Sequence, residues 1–122
     1  MIKPSELSPN TAAAIQKLVD NFLDPRCYRV IQGGVDVAVN ITKHRWDLIC
    51  FTGSSQTGKL VAKSAAENLI PCILELGGKC PVIIDQEANV DFAAFKTVSA
   101  KFQNAGQTCI GVDYVLCHES KL

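Results

Sequence analysis

Apolar residues first recur along this chain with the spacing of a helix. Ala12, Ile15, Leu18, Val19 and Phe22 fall on one stripe. Ser8-Pro9 in front of them offers a capping hydroxyl and a proline suited to a first helical turn, and Asp24-Pro25 behind them stops the helix. Residues 28–32 form a β-prone run closed by Gly33-Gly34, and a short helix is predicted over 35–43. The period then changes. Residues 47–52 (DLICFT) are apolar on both faces, as a buried parallel strand would be. After Gly53 a helix is predicted over 56–68 with Leu60, Val61 and Ala65 turned inward. Residues 72–76 make another apolar strand that ends at Gly77-Gly78-Lys79, and 81–84 a further strand. A helix over 91–103 carries Phe92, Phe95, Val98 and Phe102 on one face, and residues 112–117 read as a last strand. Strands alternating with helices predict an α/β fold with a parallel sheet, without internal repeats.

Composition narrows the function classes. The 122 residues suffice for one domain or a part of one, with 48% hydrophobic and 20% charged residues. Twelve Lys plus Arg balance twelve Asp plus Glu, so no nucleic-acid partner is expected, and Lys43-His44-Arg45 reads as a solvated helix end. No apolar run approaches the roughly 18 residues that cross a bilayer. The first ten residues lack the features of a signal peptide, so a cytoplasmic chain with reduced thiols is expected. The six cysteines form no C-x-x-C pair and the two histidines follow no zinc spacing, so no metal is expected. Cys27, Cys50, Cys72, Cys80 and Cys117 are assigned to packing.

Three local features carry candidate chemistry. Gly53-Ser54-Ser55-Gln56-Thr57-Gly58-Lys59-Leu60 joins a strand to a helix, a context in which glycines and free helix N–H groups can meet phosphates. It approaches the P-loop pattern, but Leu60 stands where a hydroxyl must hold magnesium. Plain turn chemistry also produces such loops, so this segment alone decides nothing. Glu75 is flanked by Ile73, Leu74 and Leu76, which predicts partial desolvation and a carboxyl shifted toward general-base duty; a strand-end charge pointing to solvent is the alternative. Cys109 follows Asn104-Ala105-Gly106-Gln107-Thr108. A sharp turn at Gly106 would let its sulfur and its own backbone N–H address one cavity, as acyl transfer requires. An inert buried thiol is the alternative.

Taken together these segments resemble a known family. Phe51-Thr52-Gly53-Ser54, Leu74-Glu75-Leu76-Gly77-Gly78-Lys79 and Gly106-Gln107-Thr108-Cys109 resemble the ordered signatures of the aldehyde dehydrogenase superfamily, with Glu75 and Cys109 34 positions apart. Lys3-Pro4-Ser5-Glu6 is similar to that family's adenosine-ribose motif. Asp113-Tyr114-Val115-Leu116-Cys117, behind the cysteine, is most similar to the class 3 or fatty-aldehyde branch. The resemblance covers residues 2–118 and displaces the P-loop reading.

The resemblance implies a parallel, Rossmann-like cofactor-binding sheet with helices over residues 1–77. This runs into the start of a catalytic α/β domain over 78–122, an incomplete aldehyde dehydrogenase fold. It implies that Lys3 and Glu6 contact the adenosine ribose. Gly53 and Ser54 open the helix that meets the pyrophosphate, Gly58 permits close helix packing, and Leu76 and Gly77 lie along the cofactor. Cys109 is then the nucleophile and Glu75 the general base. Glu6 favours NAD, because a carboxylate accepts from a 2′-hydroxyl and repels a 2′-phosphate; many members of the class 3 branch also accept NADP. The implied substrate is an aldehyde of medium or long chain. The implied full-length form is a homodimer, in which a membrane anchor could lie beyond Leu122. The family's upstream oxyanion asparagine and its downstream nicotinamide-ribose motif are absent from these residues. We therefore expect an internal fragment, the product of a split or truncated reading frame, inactive alone. The alternative is a non-catalytic remnant that binds only nucleotide or a partner.

Overall fold

A computed structural model describes residues 1–122. Backbone packing divides them into two compact units, one of Met1–Phe51 with Lys59–Ile73, the other of Thr52–Gly58 with Leu74–Leu122. The elements run α1 (Pro9–Phe22), α2 (Val35–Thr42), β1 (Ile49–Gly53), α3 (Ser55–Ala66), β2 (Cys72–Leu76), β3 (Cys80–Ile84), α4 (Val90–Phe102) and β4 (Val112–Cys117). Short 3₁₀ turns cover Gln103–Gly106 and Glu119–Lys121. This is an α/β arrangement, as the alternating periods predict. Its strands are divided into two two-stranded sheets, β1 with β2 and β3 with β4. β2 and β3 therefore belong to different sheets although only Gly77, Gly78 and Lys79 separate them. Two strands are fewer than a sheet usually needs for independent stability.

In the first unit, Ala12, Val19, Val61, Ala65 and Ile70 are the buried hydrophobic residues. α1 starts at Pro9 as predicted, but the Ser8 hydroxyl makes no capping bond; its carbonyl instead accepts from the Ala12 N–H at 2.9 Å. Of the predicted α1 stripe, Ala12 and Val19 are covered and Ile15 is half-buried, whereas Leu18 and Phe22, four apart on an adjoining face, are exposed. α3 corrects a second expectation. Val61 and Ala65 share a buried face at i, i+4, while Leu60, about 100° further round, is 64% exposed. The run at 28–32 does not become a strand. It makes one parallel bridge, Ile2 to Val30, held by Ile2 N–H to Arg29 O (2.8 Å) and Ile31 N–H to Ile2 O (2.9 Å). Pro4, which has no N–H, cannot continue that ladder.

In the second unit, β3 lies parallel to β4, in register from Pro81 opposite Tyr114 to Ile84 opposite Cys117. The register shifts between Cys80, opposite Val112, and Pro81, so Asp113 is the unpaired extra residue. α4 links the two strands. Asn89 caps it by accepting the Phe92 N–H at 2.9 Å, one of the orphan donors of a helix start. Its face of Phe92, Phe95, Val98 and Phe102 is exposed. No helix of the chain is long and apolar enough to cross a membrane.

Candidate active site

At the N-terminus, Lys3 holds Glu6. The Lys3 ammonium donates to Glu6 Oε2 (3.2 Å), to the Pro4 carbonyl (2.7 Å) and to the Gly33 carbonyl (3.0 Å). Its three donors thus all have partners within the chain. The contact to Gly33 ties the Lys3–Glu6 turn to the loop before α2. Glu6 is held below its ordinary carboxylate range, first by its own backbone N–H and then by the bond and charge of Lys3. The Gly33 carbonyl, which completes the Lys3 contacts, carries no sequence signal.

Gly53, Ser54, Gly58, Glu75, Leu76, Gly77 and Cys109 all fall in the second unit, and Lys3 and Glu6 in the first. Ser54 immediately precedes α3. Its hydroxyl accepts the Thr57 N–H at 3.2 Å and bonds the Thr57 hydroxyl at 3.0 Å, while its carbonyl accepts the Gly58 N–H at 2.8 Å. This is a side-chain N-cap. Gly58 is buried against Leu76: a Cβ there would lie 2.7 Å from Leu76 Cδ2. The close packing expected of Gly58 is present, and Leu76 is what it packs on.

Glu75 departs from expectation. Alternation along β2 leaves Cys72, Leu74 and Leu76 half-buried on one face, and Ile73 and Glu75 exposed on the other. The flanking leucines therefore point the opposite way from the carboxylate.

Cys109 is exposed in the loop between the 3₁₀ turn and β4. The backbone before it takes three successive left-handed residues, Asn104 (φ 50°), Ala105 (φ 56°) and Gly106 (φ 77°). The sharp turn predicted at Gly106 is there, begun two residues earlier. The Asn104 side chain bonds the Gln107 carbonyl at 3.0 Å, and the Gly111 N–H closes on the Thr108 carbonyl at 3.0 Å. The Cys80 thiol donates to the Cys109 carbonyl at 3.4 Å, and the Cys80 N–H donates to Asp113 Oδ2 at 3.1 Å. Lys101 approaches the other Asp113 oxygen at 3.7 Å. The Cys80 N–H is the main reason why the Asp113 carboxyl sits below its usual range, with Lys79 and Lys101 adding to it.

Sequence reasoning missed Asp113 and placed Cys80 among packing thiols. A carboxylate four residues after the cysteine, at a strand start, was the available signal. Of the thiols assigned to packing, Cys27 and Cys50 are exposed, and Cys72, Cys80 and Cys117 are half-buried.

Comparison with known proteins now fixes the family. The sequence profile described as Aldehyde dehydrogenase family matches residues 1–122. The 4,4'-diaponeurosporen-aldehyde dehydrogenase of Staphylococcus aureus is 46% identical over 120 residues, covering 98% of this chain and 26% of that protein. Aldehyde dehydrogenase family 3 member A2 of Macaca fascicularis is 46% identical, with 98% and 25% covered. Among solved structures, the substrate-bound state of Staphylococcus aureus AldH superposes with a TM-score of 0.92 at 45% identity, covering 98% of this chain and 26% of that one. The chain thus spans about a quarter of the length of the relatives it matches. It belongs to the aldehyde dehydrogenase family, and its relatives include members of the class 3 branch.

Proposed function

We propose that the protein containing this chain oxidises an aldehyde to a carboxylic acid with NAD, NADP serving as a second cofactor, through a thioester on Cys109. The observation that carries this reading is the exposed Cys109 thiol. It stands beyond a left-handed turn, in the same unit as Glu75 and the capped N-terminus of α3. Family membership supports the reaction class.

Each unit by itself carries groups suited to part of a dinucleotide. In the second unit the first N–H groups of α3 are suited to phosphate and Gly58 leaves no side chain between α3 and β2; in the first, Glu6 is a carboxylate of the kind that accepts from a ribose hydroxyl. In this reading the Cys109 thiolate attacks the aldehyde carbon, and the Cys109 N–H helps hold the resulting oxyanion. The cofactor, when bound, supplies the acceptor for the hydride that leaves this thiohemiacetal. Glu75 takes a proton from water, the water oxygen adds to the thioester carbonyl, and the acid departs as the thiolate re-forms. Exposure of Glu75 on the outer face of β2 suits a base that must meet water.

The cofactor-binding part is proposed as residues 1–77 and the start of the catalytic part as 78–122. The substrate class is a medium- or long-chain aldehyde, after the class 3 branch, and the full-length form is a homodimer. Residues 1–122 alone are proposed to be inactive, since the exposed aromatic face of α4 and the two-stranded sheets need further chain to cover them. The test is aldehyde-dependent NADH formation by the protein expressed from its complete reading frame and by residues 1–122. Activity in the former that Cys109→Ala abolishes supports the proposal; full activity in Cys109→Ala overturns it.

A further inference from the structure

We infer that Asp113 is a positioning residue for the nucleophile, acting through Cys80 on the Cys109 loop. The inference rests on the reading of Cys109 as nucleophile and goes beyond it to the groups that fix the loop in place.

The loop leaves α4 at Phe102 and joins β4 at Val112, and its own bonds, Asn104 to Gln107 and Gly111 to Thr108, are local ones. They give the loop a shape without fixing it to the sheet. The β3–β4 ladder would do so, but its register breaks at the Cys80/Pro81 step, and Pro81 has no N–H to offer. At that step the Asp113 carboxylate accepts the Cys80 N–H at 3.1 Å, so the first residue of β3 is held against the start of β4. Held there, Cys80 turns its thiol onto the Cys109 carbonyl at 3.4 Å. The second Asp113 oxygen faces Lys101, in the last turn of α4. One carboxylate thus joins the strand before the loop, the helix entering it and the strand leaving it, and its reach ends on the peptide of the nucleophile. Cys80 is the only link in that chain with a side chain on Cys109.

A double-mutant cycle in the protein expressed from its complete reading frame tests this. Asp113→Ala, Cys80→Ala and their combination are compared by kcat per titrated Cys109 thiol and by KM for NAD. Each single change is expected to lower kcat by about tenfold to a hundredfold, as small misplacements of a reacting group do, with KM for NAD unchanged. The double variant should lose little more than the worse single one, because both cut the same path. Cys80→Ser, which keeps a donor, should restore most of the rate. A merely structural role would lower the titratable fraction and leave kcat per site intact, which overturns the inference; so do additive losses in the double variant. If Asp113→Ala fails to fold, the contrast between Cys80→Ala and Cys80→Ser decides for the link to Cys109, and Asp113→Asn, which keeps an acceptor, should then match the parent. Retained activity in Cys109→Ala would sink the underlying mechanism instead, so the two failures are distinguishable.

Discussion

Gly58 on α3 and Leu76 on β2 are in contact to the point that any side chain at 58 intrudes: a Cβ would stand 2.7 Å from Leu76 Cδ2 and 3.4 Å from Cδ1. The intruded atoms end a flexible side chain, so one methyl can be accommodated by a shift of Leu76. Alanine also gains about 1 kcal/mol over glycine in a helix, against about 1–3 kcal/mol for overpacking. Gly58→Ala is therefore expected to be close to neutral in stability, while Gly58→Val, with two more carbons, should be clearly destabilised. Leu76→Ala should relieve Gly58→Val but harm the parent. Urea midpoints of the five proteins check this, and purely additive effects of Gly58→Val and Leu76→Ala would contradict the contact.

The Ser54 hydroxyl caps α3 through the Thr57 N–H. Ser54→Ala removes that acceptor and should cost about 0.5–2 kcal/mol, whereas Ser54→Asp should keep the cap. If the phosphates of the cofactor meet this helix end, Ser54→Asp will also raise KM for NAD, by placing a carboxylate against them. Stability retained with affinity lost is the expected pair of outcomes.

The helices and strands were legible because periodicity is local. The bounds of β2 and β4 follow from apolar runs cut by Gly77 and by the turn before Val112, and α4 departs from its predicted span by one residue at each end. What the periods could not say is which face a neighbour covers. Leu60 belongs to the apolar set of α3, yet only Val61 and Ala65 lie on its buried side. Glu75 was misjudged by counting apolar neighbours along the chain, when strand parity sets Leu74 and Leu76 on the face it does not share. The run at 28–32 needed a partner, and only Ile2 provides one. Of the proposed catalytic groups, Cys109 and Glu75 were picked out by their motifs. The Asp113–Cys80 link was not, because it arises from a shifted register between strands 28 residues of chain apart, from Ile84 to Val112.

Glu6 supplies a pH-dependent interaction. Its carboxyl is depressed in the folded chain by its own backbone N–H and by Lys3, from an ordinary value of 4.5. A depressed folded value means that the stabilisation is complete above the ordinary value and is lost as pH falls through the depressed one. The Lys3–Glu6 turn should therefore be indifferent to pH from neutrality down to about 5, and loosen only under more acidic conditions. Carbon-detected NMR titration of Glu6 should give a midpoint below 4.5, moving upward in Lys3→Met. A midpoint unmoved by that change would remove Lys3 as a cause. Glu6→Gln, which takes away the charge that opposes a 2′-phosphate, should raise kcat/KM for NADP relative to NAD.

Ala105 lies in the left-handed region with φ 56°, between Asn104 and Gly106. Alanine is disfavoured there by about 1–2 kcal/mol, and glycine is not; glycine also adds about 0.4–1 kcal/mol of unfolded-state entropy to be overcome. Ala105→Gly should thus stabilise by between about 0 and about 1.6 kcal/mol, and Ala105→Val should destabilise. If strain here holds Cys109 in place, the more stable Ala105→Gly variant will have the lower kcat. A variant both more stable and equally active would leave Ala105 with no part in catalysis.

Cys109 and Glu75 separate in time under the proposed mechanism. Cys109→Ala should abolish NADH formation, since no acyl-enzyme forms without the sulfur. Glu75→Gln should leave the first turnover intact, because attack by Cys109 and oxidation precede any need for a base toward water. Rapid mixing should therefore show a burst of NADH equal to the enzyme concentration, followed by a steady rate lowered by about 10²–10⁴. The exposed position of Glu75 sharpens the prediction: an added small base, such as imidazole, can reach the thioester's water and should recover part of the steady rate in Glu75→Gln. If Glu75→Gln abolishes the burst as well, Glu75 acts before hydrolysis, as the base that activates Cys109, and its assignment to water is wrong.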